Sequence, residues 1–541
     1  MILWRMILQI IKSWGQECCQ CLIKKANRGA YSVLKFSGDE NLYLDNYIKN
    51  PFAEENIFLH RKAVTEELPV YAQAKDLLPQ PYWDGHEDTV SCYWKAWELA
   101  FGNLKKPTLR NGFPANYIDQ PFNGCIFMWD SCFMLMFTKY GKQVFDFQQT
   151  LDNFYAKQHP DGFICREIVE ESGLDHFHRF DPVSTGPNIF PLAEWEYYKN
   201  YGDIQRLRDV FPALTAYHLW TKTFRTWRDG SYWSSGWGCG MDNLPRTQKF
   251  FDRSFTNGKM VWVDTCMQQI LSAKILLRIS REIGREKDIS DFQDEVNTLT
   301  RYVNERLWDP ETGFYYDLWP ENNRSGVKTI GSYWALLADV VPKENLDRFV
   351  GHLKNKAEFD RPYPIPALSS DHPEYNRRGG YWAGGIWTPT NYMVFKGLDS
   401  QGYFNLAHEL AVRHLDEVVQ VFRNTGTIWE NYAPETAEHG KPAMPDFVGW
   451  SGLTPIAVLF EYVFGIRPHA SQSVLEWNVS LTQAHGIIHY PFGKTGVLNL
   501  KCEKRDSIFN RPKLEIKSNV PVTVLVKWPG GTEKALVLPN L

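Results

Sequence analysis

The 541-residue chain predicts an all-α toroid of helical hairpins followed by a small β-rich domain. Three observations predict it: amphipathic helices that recur in pairs between residues 86 and 466, no strict repeat period among them, and a change of texture after Ile466. Hairpins without a fixed repeat disfavour an open solenoid of interchangeable units and favour a closed ring. The length exceeds the usual single-domain size and accommodates both parts.

The elements follow in chain order. The opening MILWRMILQIIKSW is apolar but interrupted by Arg5 and Lys12, too short and too broken for a transmembrane span. It reads as a degenerate export signal, an amphipathic helix or a start codon placed too early. The protein is periplasmic or extracellular in the first case and cytoplasmic otherwise. Residues 1–30 are set apart on this ground, and 31–85, mixed and proline-containing, form a lead-in that packs on the helical body.

Residues 86–466 form that body. The segment 187–203 pairs with 205–224, and 403–422 pairs with 452–466. In 264-DTCMQQILSAKILLRISREIG-284, Cys266, Ile270, Ala273 and Leu277 recur at helical spacing, with Asp264 and Thr265 as the N-cap. The next segment, 290–308, repeats the spacing with Phe292, Val296, Leu299 and Val303 after the short polar REKDI connection, which makes a helical hairpin. In 467–541, Leu514 and Ile516 alternate with charged residues, Val522, Val524 and Val526 alternate with Thr523 and Leu525, and Pro529-Gly530-Gly531 forms a turn. That tail is a small β domain.

A formal net charge of -4 excludes a nucleic-acid footprint and leaves no acidic tail. The unusual quantity is 21 Trp beside 26 Tyr and 33 Phe, rings that suit the CH faces of sugars as well as helix packing. The ten cysteines lie mostly alone, as buried small apolar residues do, and Cys18, Cys19 and Cys21 have no second pair or His at ligand spacing. No metal and no cofactor is expected.

Chemistry concentrates in five connections that are longer and more aromatic than hairpins require: 127-FMWDSCF-133, 158-QHPDGFICREI-168, 237-WGCGMDNLPR-246, 380-GYWAGGIWTPTNY-392 and 428-IWENYAPE-435. Gathered at one mouth of a helical ring, they make a single cleft rich in Trp and carboxylate. Two carboxylates across an aromatic cleft are what glycoside hydrolysis needs, one to protonate the leaving oxygen and one to activate water. Asp130, Glu167, Asp242, Glu430 and Glu435 are the candidates. Asp242, in a glycine-rich loop beside Trp237, suits a raised pKa and the role of general acid. Glu430, followed by Asn431 and Tyr432 as hydrogen-bond partners that hold it ionised, suits the general base.

The set FMWDSCF, GMDNLPR, 307-LWDPETGFYYDL-318, 379-GGYWAGGIWTPTNYMVFKGL-398, WENYAPE and GWSGLTPIAVLFEYVFG resembles glycoside hydrolase family 63 with its trehalase and mannosylglycerate hydrolase relatives, over residues 86–466 and in the same order. The resemblance implies an (α/α)6 barrel and hydrolysis of α-glycosides with inversion. It implies Asp242 as acid, Glu430 as base, and the pair Trp129-Asp130 as a sugar clamp. Arg166, Trp237, Asn243, Trp382, Trp387 and Trp450 complete the expected substrate-binding set. The four Trp residues 129, 382, 387 and 450 serve equally well as packing aromatics, Asp130 as a helix N-cap, and Arg166 as the partner of Glu167.

Two letters depart from the family pattern: Gly238 and Cys239 stand where Glu and Ser are frequent, which leaves the contacts around the acid and the identity of the sugar open. A decoy, 171-ESGLDHFH-178, copies part of the acid motif without the following Asn and Pro, so Asp175 ranks below Asp242. His176 and His178 beside it lack a defined third ligand and read as surface residues. The expected function is an inverting, exo-acting α-glycosidase whose partner is an oligosaccharide or α-glycoside, here an α-linked glucoside or related glycan. The alternatives are a trehalase-like or mannosylglycerate-hydrolase-like enzyme of small substrates, and a glycan-binding protein without turnover.

Overall fold

The computed structural model describes residues 49–64, 66–120 and 122–541. The opening segment 1–30, the run Cys18, Cys19 and Cys21, and the lead-in before residue 49 lie outside the described residues.

Eight longer helices organise the body: α1 (Glu87–Gly102), α2 (Met128–Thr138), α3 (Phe190–Tyr201), α4 (Ile204–Phe224), α5 (Val263–Ile283), α6 (Phe292–Tyr302), α7 (Thr388–Ser400) and α8 (Phe404–Thr425). The α3–α4 hairpin shows how the sequence sets a boundary. Pro191 opens α3, where its missing N–H is not needed. Gly202 closes it at φ 62°, its N–H reaching the Tyr198 carbonyl at 2.7 Å. Asp203 then caps α4 by accepting from the Arg206 N–H.

Two expectations change here. Trp262, not Asp264 or Thr265, is the N-cap of α5; Asp264 lies in the first turn, and its carboxylate is used by Arg246. The helix expected over 452–466 is a 3-10 turn, Trp450–Leu453, running into a π-helix, Thr454–Val463, every residue of which is buried.

Packing runs in a circuit. Helix α2 packs on α3, α3 on α5, α5 on the turn Trp334–Leu337, that turn on α7, α7 on Trp450–Leu453, and Trp450–Leu453 back on α2. Helix α4 lies against α3 and α5, α6 against α5, α8 against α7 and the π-helix, and α1 against α8 and the π-helix. Much of the tryptophan surplus serves this packing: Trp97, Trp220, Trp262, Trp334 and Trp387 are buried outright. Each large apolar side chain buried in this way contributes roughly 1.5–3 kcal/mol. No described helix is long and apolar enough to cross a membrane.

The C-terminal region holds two four-stranded sheets. One runs Gly531–Val537, Val522–Trp528, Val474–Asn478, Ile466–His469, with the middle pair parallel. The other runs Gln80–Trp83, His485–Phe492, Gly496–Cys502, Leu514–Ser518. The lead-in expected to pack on the helical body also supplies the first strand of the second sheet. Pro51–Glu54 does pack on α4 and Tyr71–Ala74 on α1, but Gln80–Trp83 pairs antiparallel with His485–Phe492. The Pro81 imide has no N–H to offer, which fits an edge strand.

Candidate active site

The acid loop is built on glycine. Ser235 caps the single turn Gly236–Cys239, accepting from the Gly238 N–H at 3.0 Å. Gly240 ends the turn at φ 75°, with the Trp129 ring so close that a Cβ would stand 3.1 Å from it. That approach presses Trp129 and Asp242 into one pocket wall. The departures from the family pattern lie beneath this surface. A Cβ on Gly238 would meet the Ser234 hydroxyl at 2.7 Å, and Cys239 is buried with its Sγ 3.5 Å from the Arg246 guanidinium. Gly238 and Cys239 therefore shape the support of the loop and do not face the cavity.

Arg246, the last letter of the motif, anchors the loop from below. Its guanidinium makes paired hydrogen bonds to Asp264 at 2.6 and 2.9 Å and to Asp317 at 2.7 and 2.8 Å, and it lies over the Trp262 ring. All three charged groups are buried. Arg246→Leu leaves two carboxylates without their counter-charge and is expected to destabilise the fold by about 3–5 kcal/mol, measured by urea denaturation. A loss under about 1 kcal/mol would mean that the cluster does not hold the loop.

A cavity of about 190 Å³ opens above this loop, lined by Trp129, Asp130, Arg166, Trp237, Asp242, Trp382 and Trp450 among others. Seven residues expected to serve the site from sequence are thus brought together. Asp130 is not an N-cap: Phe127 holds that position, and Asp130 lies in the first turn of α2. Burial pushes its carboxyl well up, and neither its Oδ1 nor the Trp129 Nε1 has a hydrogen-bond partner among the described residues. Arg166 pairs with Glu167 at 2.5 Å, donates to the Val183 carbonyl and lies over the Trp237 and Phe177 rings. Both Arg166 and Glu167 also line the cavity, so their pairing and a cavity role coexist.

Two of the expected contacts stand behind the wall. Trp387 is fully buried, stacks on Trp382 at 4.0 Å with planes 2° apart, and donates its Nε1–H to the Tyr381 carbonyl. The Asn243 amide accepts from the Trp382 N–H at 2.8 Å and donates to the Gly380 carbonyl at 3.0 Å. Both residues spend their polar groups on joining the acid loop to the 379–387 loop or bracing that loop internally, and neither lines the cavity.

Glu430 is fixed by backbone. Its N–H donates to the Met444 carbonyl, the Met444 N–H returns to Oε2 at 3.1 Å, and the Trp450 Nε1–H donates to its carbonyl at 3.0 Å. The hydroxyl of Tyr381, a cavity-lining residue, donates to Oε1 at 3.3 Å. Tyr381 and Met444 were not among the expected site residues. Asn431 and Tyr432, expected to hold Glu430 ionised, do not touch its carboxylate: the Asn431 amide donates to the Pro442 carbonyl, and the Tyr432 hydroxyl accepts from the Trp429 N–H.

Electrostatics follow from this burial. Asp242 is pushed up to about 6, chiefly by desolvation, with Arg166 opposing and Glu167 reinforcing. Glu430 is pushed up to about 7, again by desolvation; the Met444 and Tyr381 donors offset part of the rise and the Asp242 charge adds to it. The expectation of a base held ionised by Asn431 and Tyr432 therefore gives way to a buried carboxyl held by Met444 and Tyr381 and raised beside a likewise raised Asp242. Among the other candidates, Glu435 is held by Arg361 at 2.7 and 2.9 Å and by Tyr375 at 2.9 Å, a structural cluster. Asp175 is buried against His159 at 2.7 Å.

Comparison with known proteins is consistent with this geometry. Residues 126–452 match the model of the mannosylglycerate hydrolase MGH1-like glycoside hydrolase domain. An uncharacterized protein of Borreliella burgdorferi is 24% identical over 444 residues, covering 79% of this chain and 87% of its own length. A mannosylglycerate hydrolase of Thermus thermophilus is 23% identical over 349 residues, covering 52% of this chain and 83% of its own. The crystal structure of a GH63 mannosylglycerate hydrolase from Thermus thermophilus in complex with glucose superimposes with a TM-score of 0.54 at 21% identity, over 67% of this chain and 99% of that one; the likeness is one of fold. The match of a single domain model across more than half of the sequence decides the assignment: the chain belongs to the MGH1-like glycoside hydrolases of family 63.

Proposed function

We propose that this glycosidase is an inverting, exo-acting α-glycoside hydrolase in which Asp242 is the general acid and Glu430 the general base. The observation that carries the reading is a pair of buried carboxyls, both raised toward neutrality: Asp242 on the wall of an aromatic cavity, and Glu430 joined to that wall through Tyr381. A raised Asp242 retains the proton that the glycosidic oxygen needs as its bond to the anomeric carbon breaks. Glu430, oriented by Met444 and Tyr381, takes a proton from the water that attacks the opposite face. Inversion requires room for that water, a separation between the two carboxyls of about 6.5–9.5 Å. Trp129, Asp130, Arg166, Trp237, Trp382 and Trp450 contact the sugar in this reading, while Asn243 and Trp387 position the walls.

The circuit of packed helices supports a closed (α/α)6 toroid over 86–466, with 467–541 as a β domain that borrows the strand Gln80–Trp83. The cavity is smaller than the roughly 300–1,000 Å³ of clefts that hold drug-sized ligands, which suits one terminal sugar ring and hence exo action. One observation favours the small-substrate alternative of the mannosylglycerate hydrolase or trehalase type. Arg166, Glu167 and His176 of the 158–180 region wall the cavity, and Glu374 of the 361–380 region pairs at 2.8 Å with Arg253, which also donates to the Asn243 carbonyl of the acid loop.

The test is a screen of aryl α-glucosides, aryl α-mannosides, α-linked disaccharides and α-mannosylglycerate, followed by a pH profile on whichever is hydrolysed. Activity needs Asp242 protonated and Glu430 ionised, the minor of the two singly protonated forms because burial raises Glu430 further than Asp242. It is expected to fall below about pH 6, where both are protonated, and above about pH 7, where both are ionised. A profile flat from pH 5 to 9 contradicts the roles assigned, and turnover of no α-linked substrate favours a glycan-binding protein instead.

A further inference from the structure

The segment 171-ESGLDHFH-178 is resolved by the fold into an arrangement its spacing conceals. Asp175 goes to His159, and His176 goes instead to Cys125 and Glu167. The strands Cys125–Phe127 and Glu167–Val169 pair antiparallel, and the His176 N–H donates to the Glu167 carbonyl at 3.0 Å. Backbone hydrogen bonds therefore carry a thiol, a carboxylate and an imidazole to one spot, their ligand atoms all within 4.8 Å of one another. Cys125 and Glu167 are buried while His176 is exposed, which leaves one side open for entry.

We infer that Cys125, Glu167 and His176 form a transition-metal site of the zinc class at the rim of the catalytic cavity, where a bound cation inhibits the enzyme. The donor set is one sulfur, one nitrogen and one oxygen, each a donor type that zinc binds, and three protein ligands leave a fourth position open. The Cys125 Sγ to His176 Nδ1 distance of 3.4 Å matches the edge of a tetrahedron built on bonds of about 2.0–2.3 Å. Closing the remaining gap draws on Glu167, the carboxylate that Arg166 holds at 2.5 Å. A cation there competes with Arg166 for Glu167 and disturbs the wall facing Asp242. On binding, the Cys125 thiol releases its proton to solvent and the metal takes its place. The inhibitory half of the inference rests on the proposed reading of the cavity; the binding half does not.

Full-length protein stripped with a chelator is titrated with zinc chloride by calorimetry and with cobalt chloride by absorption. The expected result is a thiolate-to-cobalt band that disappears in Cys125→Ser, with zinc binding weakened at least about tenfold, the loss that even outer-shell changes produce at metal sites. His176→Gln, with the thiol intact, is expected to weaken zinc binding by a similar factor. An undiminished band or unchanged zinc stoichiometry in Cys125→Ser overturns the site and places the metal elsewhere, the Cys18, Cys19 and Cys21 run included. Cys125→Ser is expected to keep its basal glycosidase activity and to need at least about tenfold more zinc for the same inhibition. Equal zinc inhibition of both proteins overturns the inhibitory role. Absence of any glycosidase activity would instead defeat the proposed function, with the calorimetric and cobalt measurements still deciding the site.

Discussion

Asp242→Asn is expected to lower kcat by about 10²–10⁴-fold on α-glycosides whose leaving group is a sugar or an alkanol, and far less on nitrophenyl α-glycosides. The difference between leaving groups is the informative part. A nitrophenolate departs without a proton, so an acid-less enzyme still cleaves it, whereas an alkoxide does not. If both substrates lose activity equally, Asp242 is not the proton donor. The same substitution has a predicted effect on stability that separates a folding defect from a chemical one. A carboxyl whose folded pKa, about 6, lies above its unfolded value of 3.8 binds more protons in the folded state. Its favourable contribution is therefore present below about pH 4 and is lost as pH rises toward 6. Removing the ionisable group at pH 7 is expected to leave the protein at least as stable as the parent, with a gain of up to about 2–3 kcal/mol.

Glu430→Gln is expected to cost a similar factor of about 10²–10⁴, but on both leaving-group classes, because water must be activated whichever group departs. Azide, a nucleophile that needs no base, is expected to restore turnover of the nitrophenyl substrate and to give a glycosyl azide of inverted configuration. Rescue of Asp242→Asn but not of Glu430→Gln by azide would reverse the two roles. Tyr381→Phe removes a single hydrogen bond to Glu430 and separates positioning from chemistry. It is expected to move the pH limb set by Glu430 upward, since the Tyr381 donor holds that pKa down, and a profile unchanged in position would show that the contact is not made in solution.

The sequence exposed the proposed acid and base better than their supports. Asp242 and Glu430 stand out as letters because glycine, tryptophan and asparagine gather around them, and a turn that brings a buried carboxyl to a cavity needs such neighbours. What orients them was not legible. Met444 acts through its backbone N–H, which carries no side-chain signature, and Tyr381 lies 49 positions from Glu430 in a loop whose two tryptophans look alike in sequence. Only the fold distinguishes Trp382, on the cavity wall, from Trp387, stacked behind it. Periodicity located the paired helices, yet it missed the 3-10 to π transition at 450–463, where a wholly buried run has no polar face to set a period. It also missed the contribution of Gln80–Trp83 to a sheet whose partner strand starts some 400 residues later, a pairing no local pattern encodes. Gly238 and Cys239 are the converse case: neither departure lines the cavity, Gly238 lying against Ser234 and Cys239 against Arg246.

The central claim, acid and base acting on opposite faces of one sugar, is tested most directly by the configuration of the first product. An α-glycoside that the enzyme hydrolyses is followed by proton NMR in the first minutes, before mutarotation. The account predicts that the β-anomer appears first and the α-anomer grows in only as the sugar equilibrates. An initial α-anomer would require a covalent intermediate and carboxyls only about 5–5.5 Å apart, and would contradict it.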